Sequence, residues 1–139
     1  MYPSRNPILL IEDDDVDAMT LRRAFRDIGV ANPLVRAENG EVGLAKLADP
    51  SLGHPCVILL DLNMPIMNGI EFLRVVKSHA QWRRIPVIVL TTSREAQDKI
   101  ASFDLSVAGY MTKPVDYPKF VDAVRTIESY WTLSEAAPH

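Results

Sequence analysis

Residues 56–61 read Cys56-Val57-Ile58-Leu59-Leu60-Asp61, and residues 86–91 read Pro86-Val87-Ile88-Val89-Leu90-Thr91. Each is an apolar run closed by a polar residue. A run without polar alternation suits a strand buried on both faces. A third such run, Ile8-Leu9-Leu10-Ile11, lies between Pro7 and Glu12. Leu34-Val35-Arg36-Ala37 and Ala108-Gly109-Tyr110-Met111 read as weaker strands. Between the strands the period changes. Ala18, Leu21, Phe25 and Ile28 fall on one helical face, with Asp14 or Asp15 as cap and Gly29 at the stop. Asn39-Gly40 reads as a turn before a short helix carrying Val42, Leu44, Ala45, Leu47 and Ala48. Asn63-Met64-Pro65 and Asn68-Gly69 form a loop, followed by a helix with Ile70, Phe72, Leu73 and Val76. Ser93 can cap another helix, with Ala96, Ile100 and Phe103. Asp116 caps a final one with Tyr117, Phe120, Val121, Val124, Ile127 and Trp131 on one stripe. Pro118 is tolerated in its first turn. Strand and helix alternate five times. The expectation is an α/β fold, a five-stranded parallel sheet with helices on both faces.

With 139 residues, the chain has room for one domain. Its core is placed at about 8–131, with tails at 1–7 and 134–139. Fifteen Lys and Arg stand against 18 Asp and Glu, a net charge of −3, so no nucleic acid partner is expected. The one cysteine, Cys56, excludes an internal disulfide and reads as a small buried hydrophobe. It fits a reducing compartment. No stretch approaches the ~20 apolar residues of a membrane span, and no signal peptide is visible. The expected location is the cytoplasm, with no membrane partner. His54, His79 and His139 have no metal-site spacing.

Ligands of open α/β sheets bind beyond the carboxyl ends of the strands. Glu12, Asp13, Asp14 and Asp15 follow the first strand there, Asp61 the third, Thr91 the fourth and Lys113 the fifth. A run of acids alone is ordinary at a helix start, where it complements the dipole. Asp61, Thr91 and Lys113-Pro114 each have an ordinary reading too. Their joint placement on one rim does not. Converging carboxylates repel, and a hard divalent cation such as Mg²⁺ relieves the repulsion. Thr91 and Lys113 then suit phosphate oxygens, and an Asp can accept a phosphoryl group.

These residues resemble the receiver domain of two-component response regulators. Glu12-Asp13, Asp61-Leu62-Asn63-Met64-Pro65 with Gly69, Thr91 and Lys113-Pro114 carry the likeness, which runs from Ile8 to Trp131. The resemblance implies a flavodoxin-like fold, with Asp61 as phosphoacceptor and Mg²⁺ or Mn²⁺ as cofactor. It implies Asp13 and Asp61 as direct metal ligands, Asn63 through its backbone carbonyl and Glu12 through water. It further implies Lys113 as the phosphate-bonding lysine, often before a cis proline, here Pro114. Thr91 becomes the switch hydroxyl and Tyr110 the switch aromatic, which turns inward when the hydroxyl moves. Thr92 departs from the usual Ala or Gly. A narrower likeness is to single-domain regulators serving bacterial phytochrome kinases, through residues 11–14, 90–93 and 127–131.

The expected function is that of a stand-alone receiver, not an enzyme acting on a free substrate. It would take a phosphoryl group from a sensor histidine kinase and signal to a downstream protein or phosphorelay partner. Tyr130 and Trp131 on the final helix suggest a homodimer surface, with core closure by Trp131 as the alternative. Two other classes compete. A haloacid-dehalogenase-like phosphatase also uses Asp and Mg²⁺, but it wants a second Asp where Asn63 stands. A flavodoxin-like binding domain wants a Ser-, Thr- and Gly-rich phosphate loop where residues 12–15 are acidic.

Overall fold

The computed structural model describes residues 6–62, 69–91, 107–112, 117–118, 121–122 and 124–126, with Thr91 and Thr112 described by backbone alone. The elements are β1 (Ile8–Ile11), α1 (Asp15–Asp27), β2 (Leu34–Ala37), α2 (Gly40–Ala48), β3 (Val57–Asp61), α3 (Gly69–Ser78), β4 (Val87–Thr91) and β5 (Gly109–Thr112). Tyr117, Pro118, Val121, Asp122 and residues 124–126 are helical and belong to the expected final helix. The helix expected from Ser93 lies outside the described residues. Among those residues no helix is long and apolar enough to cross a membrane.

The five strands pair in parallel, in the order β2-β1-β3-β4-β5. The three apolar runs of the sequence are the three central strands. The weaker readings, β2 and β5, are the edges, where one ladder side lacks a neighbour. Alternate residues of the central strands face opposite layers. Ile8, Leu10, Val57 and Leu59 pack with Ala18, Leu21, Ala24 and Phe25 of α1 and with Val124. Leu9, Ile11, Ile58 and Leu60 pack with Leu47 of α2 and with Phe72, Leu73 and Val76 of α3. Tyr117 and Val121, expected on the buried stripe of the final helix, lie partly buried against the first layer. Cys56 is buried there too, as a small hydrophobe.

Local details refine the sequence reading. Asp14 is the cap of α1, accepting from the Asp17 amide at 2.9 Å. Gly29 follows the helix at φ +76°, a left-handed conformation that glycine adopts without a Cβ clash. The Asn39-Gly40 turn is corrected: Asn39 is an N-cap, its side chain accepting from the Val42 amide at 2.9 Å, and α2 begins at Gly40. A turn and a cap share the same residue preferences, so the dipeptide alone could not separate them. Short 3-10 segments at Pro50–Leu52 and Trp82–Arg84 were not expected. The second follows His79, whose Nδ1 accepts from the Gln81 and Trp82 amides and whose ring stacks on Trp82 at 3.8 Å.

The strand order reverses at β1 and β3. From β1 the chain moves outward to β2, then crosses back to β3 on the other side. At such a switch point the loops after the two strands part and leave a crevice.

Candidate functional site

The parallel register sets the site. Ile11 is level with Leu60, so the next residues, Glu12 and Asp61, emerge side by side at the switch point. Asp61 is still the last residue of β3 and pairs with Leu90 of β4. It is 3% exposed. Glu12 follows β1, its amide still donating to the Ala37 carbonyl of β2 at 3.0 Å, and it is 1% exposed. Asp13 follows and is exposed.

One oxygen from each of Glu12, Asp13 and Asp61 lies within 4.8 Å of the other two. At that separation each ionised pair repels by about 3–4 kcal/mol at an effective dielectric near 20. Two of the three groups are buried, so water screens them poorly. The donors are all carboxylate oxygens, the hard ligands that Mg²⁺, Mn²⁺ and Ca²⁺ take. The cluster therefore suits a divalent cation, which would offset the repulsion. Among the described residues no second group of three His, Cys, Asp or Glu converges this way.

The remaining candidates divide by position. Thr91 ends β4 and pairs with Thr112 of β5, so its backbone reaches the same rim. Tyr110 is level with Val89 and is 39% exposed, on the outside of the molecule. Asn63, Lys113, Pro114 and Thr92 lie outside the described residues.

Sequence reasoning missed Arg36. On β2, its Nε donates to the Glu12 carbonyl at 3.0 Å and its Nη1 meets Asp15 Oδ1 at 2.7 Å. The available signal was an arginine inside an apolar strand run, one strand away from four acids. Reading the run only as a weak strand discarded it.

The comparisons with known proteins agree on one family. The model of the response regulator receiver domain matches residues 8–125. The chain belongs to that family. It is a receiver domain, a signalling module and not an enzyme acting on a free substrate. The response regulator Rcp1 of Synechocystis is 34% identical over 145 residues, covering 99% of each chain. The crystal structure of the Mn²⁺-bound form of Rcp1 superposes with a TM-score of 0.82 at 33% identity, over 96% of this chain and 99% of that one. The phosphorylated cyanobacterial phytochrome response regulator RcpA gives 0.82 at 34% identity, over 96% and 98%. The bacteriophytochrome response regulator AtBRR gives 0.75 at 37% identity, over 88% and 92%. The receiver's flavodoxin-like fold is thereby the fold of this chain. The phosphatase alternative draws no support from these matches.

Proposed function

We propose that this receiver domain accepts a phosphoryl group on Asp61 from a sensor histidine kinase. The observation that carries the reading is the buried Asp61 carboxylate, grouped with Glu12 and Asp13 at the strand-order switch point. An Asp61 oxygen attacks the phosphorus of a phosphohistidine. An O–P bond forms, the N–P bond breaks, and the electron pair returns to the imidazole, which takes up a proton. Asp13 and Asp61 would hold Mg²⁺ directly, with the Asn63 carbonyl as a further ligand and Glu12 acting through water. Mg²⁺, or Mn²⁺ in its place, supplies positive charge for the oxygens of the transferring group. Lys113 would donate to another of those oxygens. The Thr91 hydroxyl would bond the phosphoryl group once present, and Tyr110, now outward, would turn into the space it leaves. A ligand-driven switch needs such contacts that differ between two states.

The similarity to RcpA and AtBRR supports a phytochrome-type kinase as donor; the signal would pass to a downstream protein or phosphorelay partner. We read residues 1–139 as one receiver domain with its core at about 8–131, working in the cytoplasm, the reducing compartment that its single cysteine suits. Tyr130 and Trp131, which lie outside the described residues, would supply aromatic anchors for a homodimer through the final helix. Light scattering with and without a phosphoryl mimic checks that assembly, and a monomer in both states removes it.

The central test is intact mass after incubation with acetyl phosphate and Mg²⁺. The wild type should gain one phosphoryl group, while Asp61→Asn, or the wild type in EDTA, should gain none. Equal phosphorylation of wild type and Asp61→Asn would overturn the assignment.

A further inference from the structure

A single arginine on the neighbouring strand holds the peptide between two of the clustered carboxylates. Arg36 is the third residue of β2, level with Leu10 of β1. Its Nε donates to the Glu12 carbonyl oxygen at 3.0 Å. The next residue, Ala37, accepts from the Glu12 amide, also at 3.0 Å. Consecutive residues of β2 thus engage both backbone polar groups of Glu12. The Glu12 carbonyl belongs to the peptide plane that ends in the Asp13 nitrogen. That plane carries the Cα atoms of both residues; with the planes on both sides of Glu12 held, the Glu12 side chain has a set direction and Asp13 a set starting point. Nη1 of the same guanidinium reaches Asp15 Oδ1 at 2.7 Å, at the first turn of α1. The loop between β1 and α1 is therefore gripped on both sides of Asp13.

The Asp15 side chain is 83% exposed, but the arginine that grips it is not. The Arg36 side chain is 20% exposed, and its Nη2 is buried with no hydrogen-bond partner among the described residues. A buried donor without a partner is costly, so the group must be held in place by its other contacts. A rigid fork can meet a carbonyl and a carboxylate at once; a lysine ammonium has no such span.

We propose that Arg36 is a positioning residue for divalent-cation binding, setting the loop that presents Glu12 and Asp13. The proposal rests on the reading that Glu12, Asp13 and Asp61 hold that cation. A purely electrostatic role has the opposite sign. A fixed positive charge beside the carboxylates repels a divalent cation, so its removal alone would tighten binding. A positioning role makes removal weaken binding, as loss of outer contacts to metal ligands does.

The experiment uses the full chain and Mn²⁺, with free ion counted by electron paramagnetic resonance. Arg36→Met should bind Mn²⁺ about tenfold more weakly than wild type. Arg36→Lys keeps the charge and should not restore wild-type affinity. In the metal-free proteins, amide hydrogen exchange at Asp13 and Asp14 should be faster in both variants, with circular dichroism unchanged. Unchanged or tighter binding by a folded Arg36→Met overturns the proposal, as does full restoration by Arg36→Lys. Should Arg36→Met fail to fold, Arg36→Lys decides by the same two readouts. Failure of the wild type itself to bind Mn²⁺ overturns the cation reading instead; metal-free exchange at Asp13 still reports whether Arg36 grips the loop.

Discussion

A methyl group added at Gly69 has nowhere to go. Its Cβ would lie 2.7 Å from the Leu62 Cα, 2.8 Å from Leu62 Cδ2 and 3.0 Å from the Asp61 carbonyl oxygen. The Gly69 amide also donates to the Leu62 carbonyl at 3.1 Å, closing the loop between β3 and α3. Relief must come from backbone that carries the candidate phosphoacceptor. Overpacking of this kind costs about 1–3 kcal/mol, more than the fraction of a kcal/mol that alanine gains over glycine at a helix end. Gly69→Ala is therefore expected to lower stability in urea and also to slow phosphorylation of Asp61. Gly29 is the control. Its φ of +76° strains any L-residue, but nothing lies within 4 Å of a Cβ there. Gly29→Ala should cost about 1 kcal/mol and leave phosphorylation of the folded protein unchanged. If both variants slow the reaction alike, the Gly69 contact has no special bearing on the site.

Short elements depend on their ends, and α2 shows this best. It has nine residues, about two and a half turns, too few for a helix to persist on its own. Asn39 satisfies the Val42 amide, and Gly40, Gly43 and Leu47 are buried. Loss of the cap by Asn39→Ala should cost about 1 kcal/mol, while Asn39→Asp should be near neutral. Urea midpoints for the two variants measure the difference directly. The same element marks how far the sequence can be read. Central strands were legible because burial on both faces leaves an unbroken apolar run, as in Ile8-Leu9-Leu10-Ile11. Helix α1 was legible through the spacing of Ala18, Leu21 and Phe25. The acids Glu12, Asp13 and Asp61 were legible because a parallel sheet gathers strand ends on one rim. Asn39 was misread since its local chemistry serves a turn equally well. Arg36 was missed since its partners, Glu12 and Asp15, are more than 20 residues away and their meeting depends on strand order. Periodicity reports which face is buried; it says little about which polar atom reaches across a layer.

At the scale of the whole molecule, the first helix and the last are tied by one phenol. The Tyr117 hydroxyl donates to Asp27 Oδ2 at 2.6 Å, across 90 residues of sequence. The Arg23 guanidinium lies 4.5 Å from the centre of the Tyr117 ring, and its Nε is 3.9 Å from Asp27. The hydrogen bond to Asp27 raises the Tyr117 pKa above its usual value of 10.0, helped by burial and by the Asp27 charge; Arg23 and Arg26 oppose the shift. The bond needs the proton, so folding favours the neutral phenol. A pKa raised on folding gives a contribution that is fully present below the unfolded value near 10 and is lost as pH rises through the folded value. Stability should therefore fall at alkaline pH in part through this tie. The informative quantity is the difference between wild type and Tyr117→Phe. The phenyl ring keeps the packing and the contact with Arg23 but has no proton to donate. Urea unfolding from pH 8 to pH 11 should show the variant less stable at pH 8. The two curves should draw together above pH 10, as ionised Tyr117 loses its bond to Asp27 and faces a like charge. Parallel curves across the whole range would mean that the hydrogen bond contributes no pH-dependent stability.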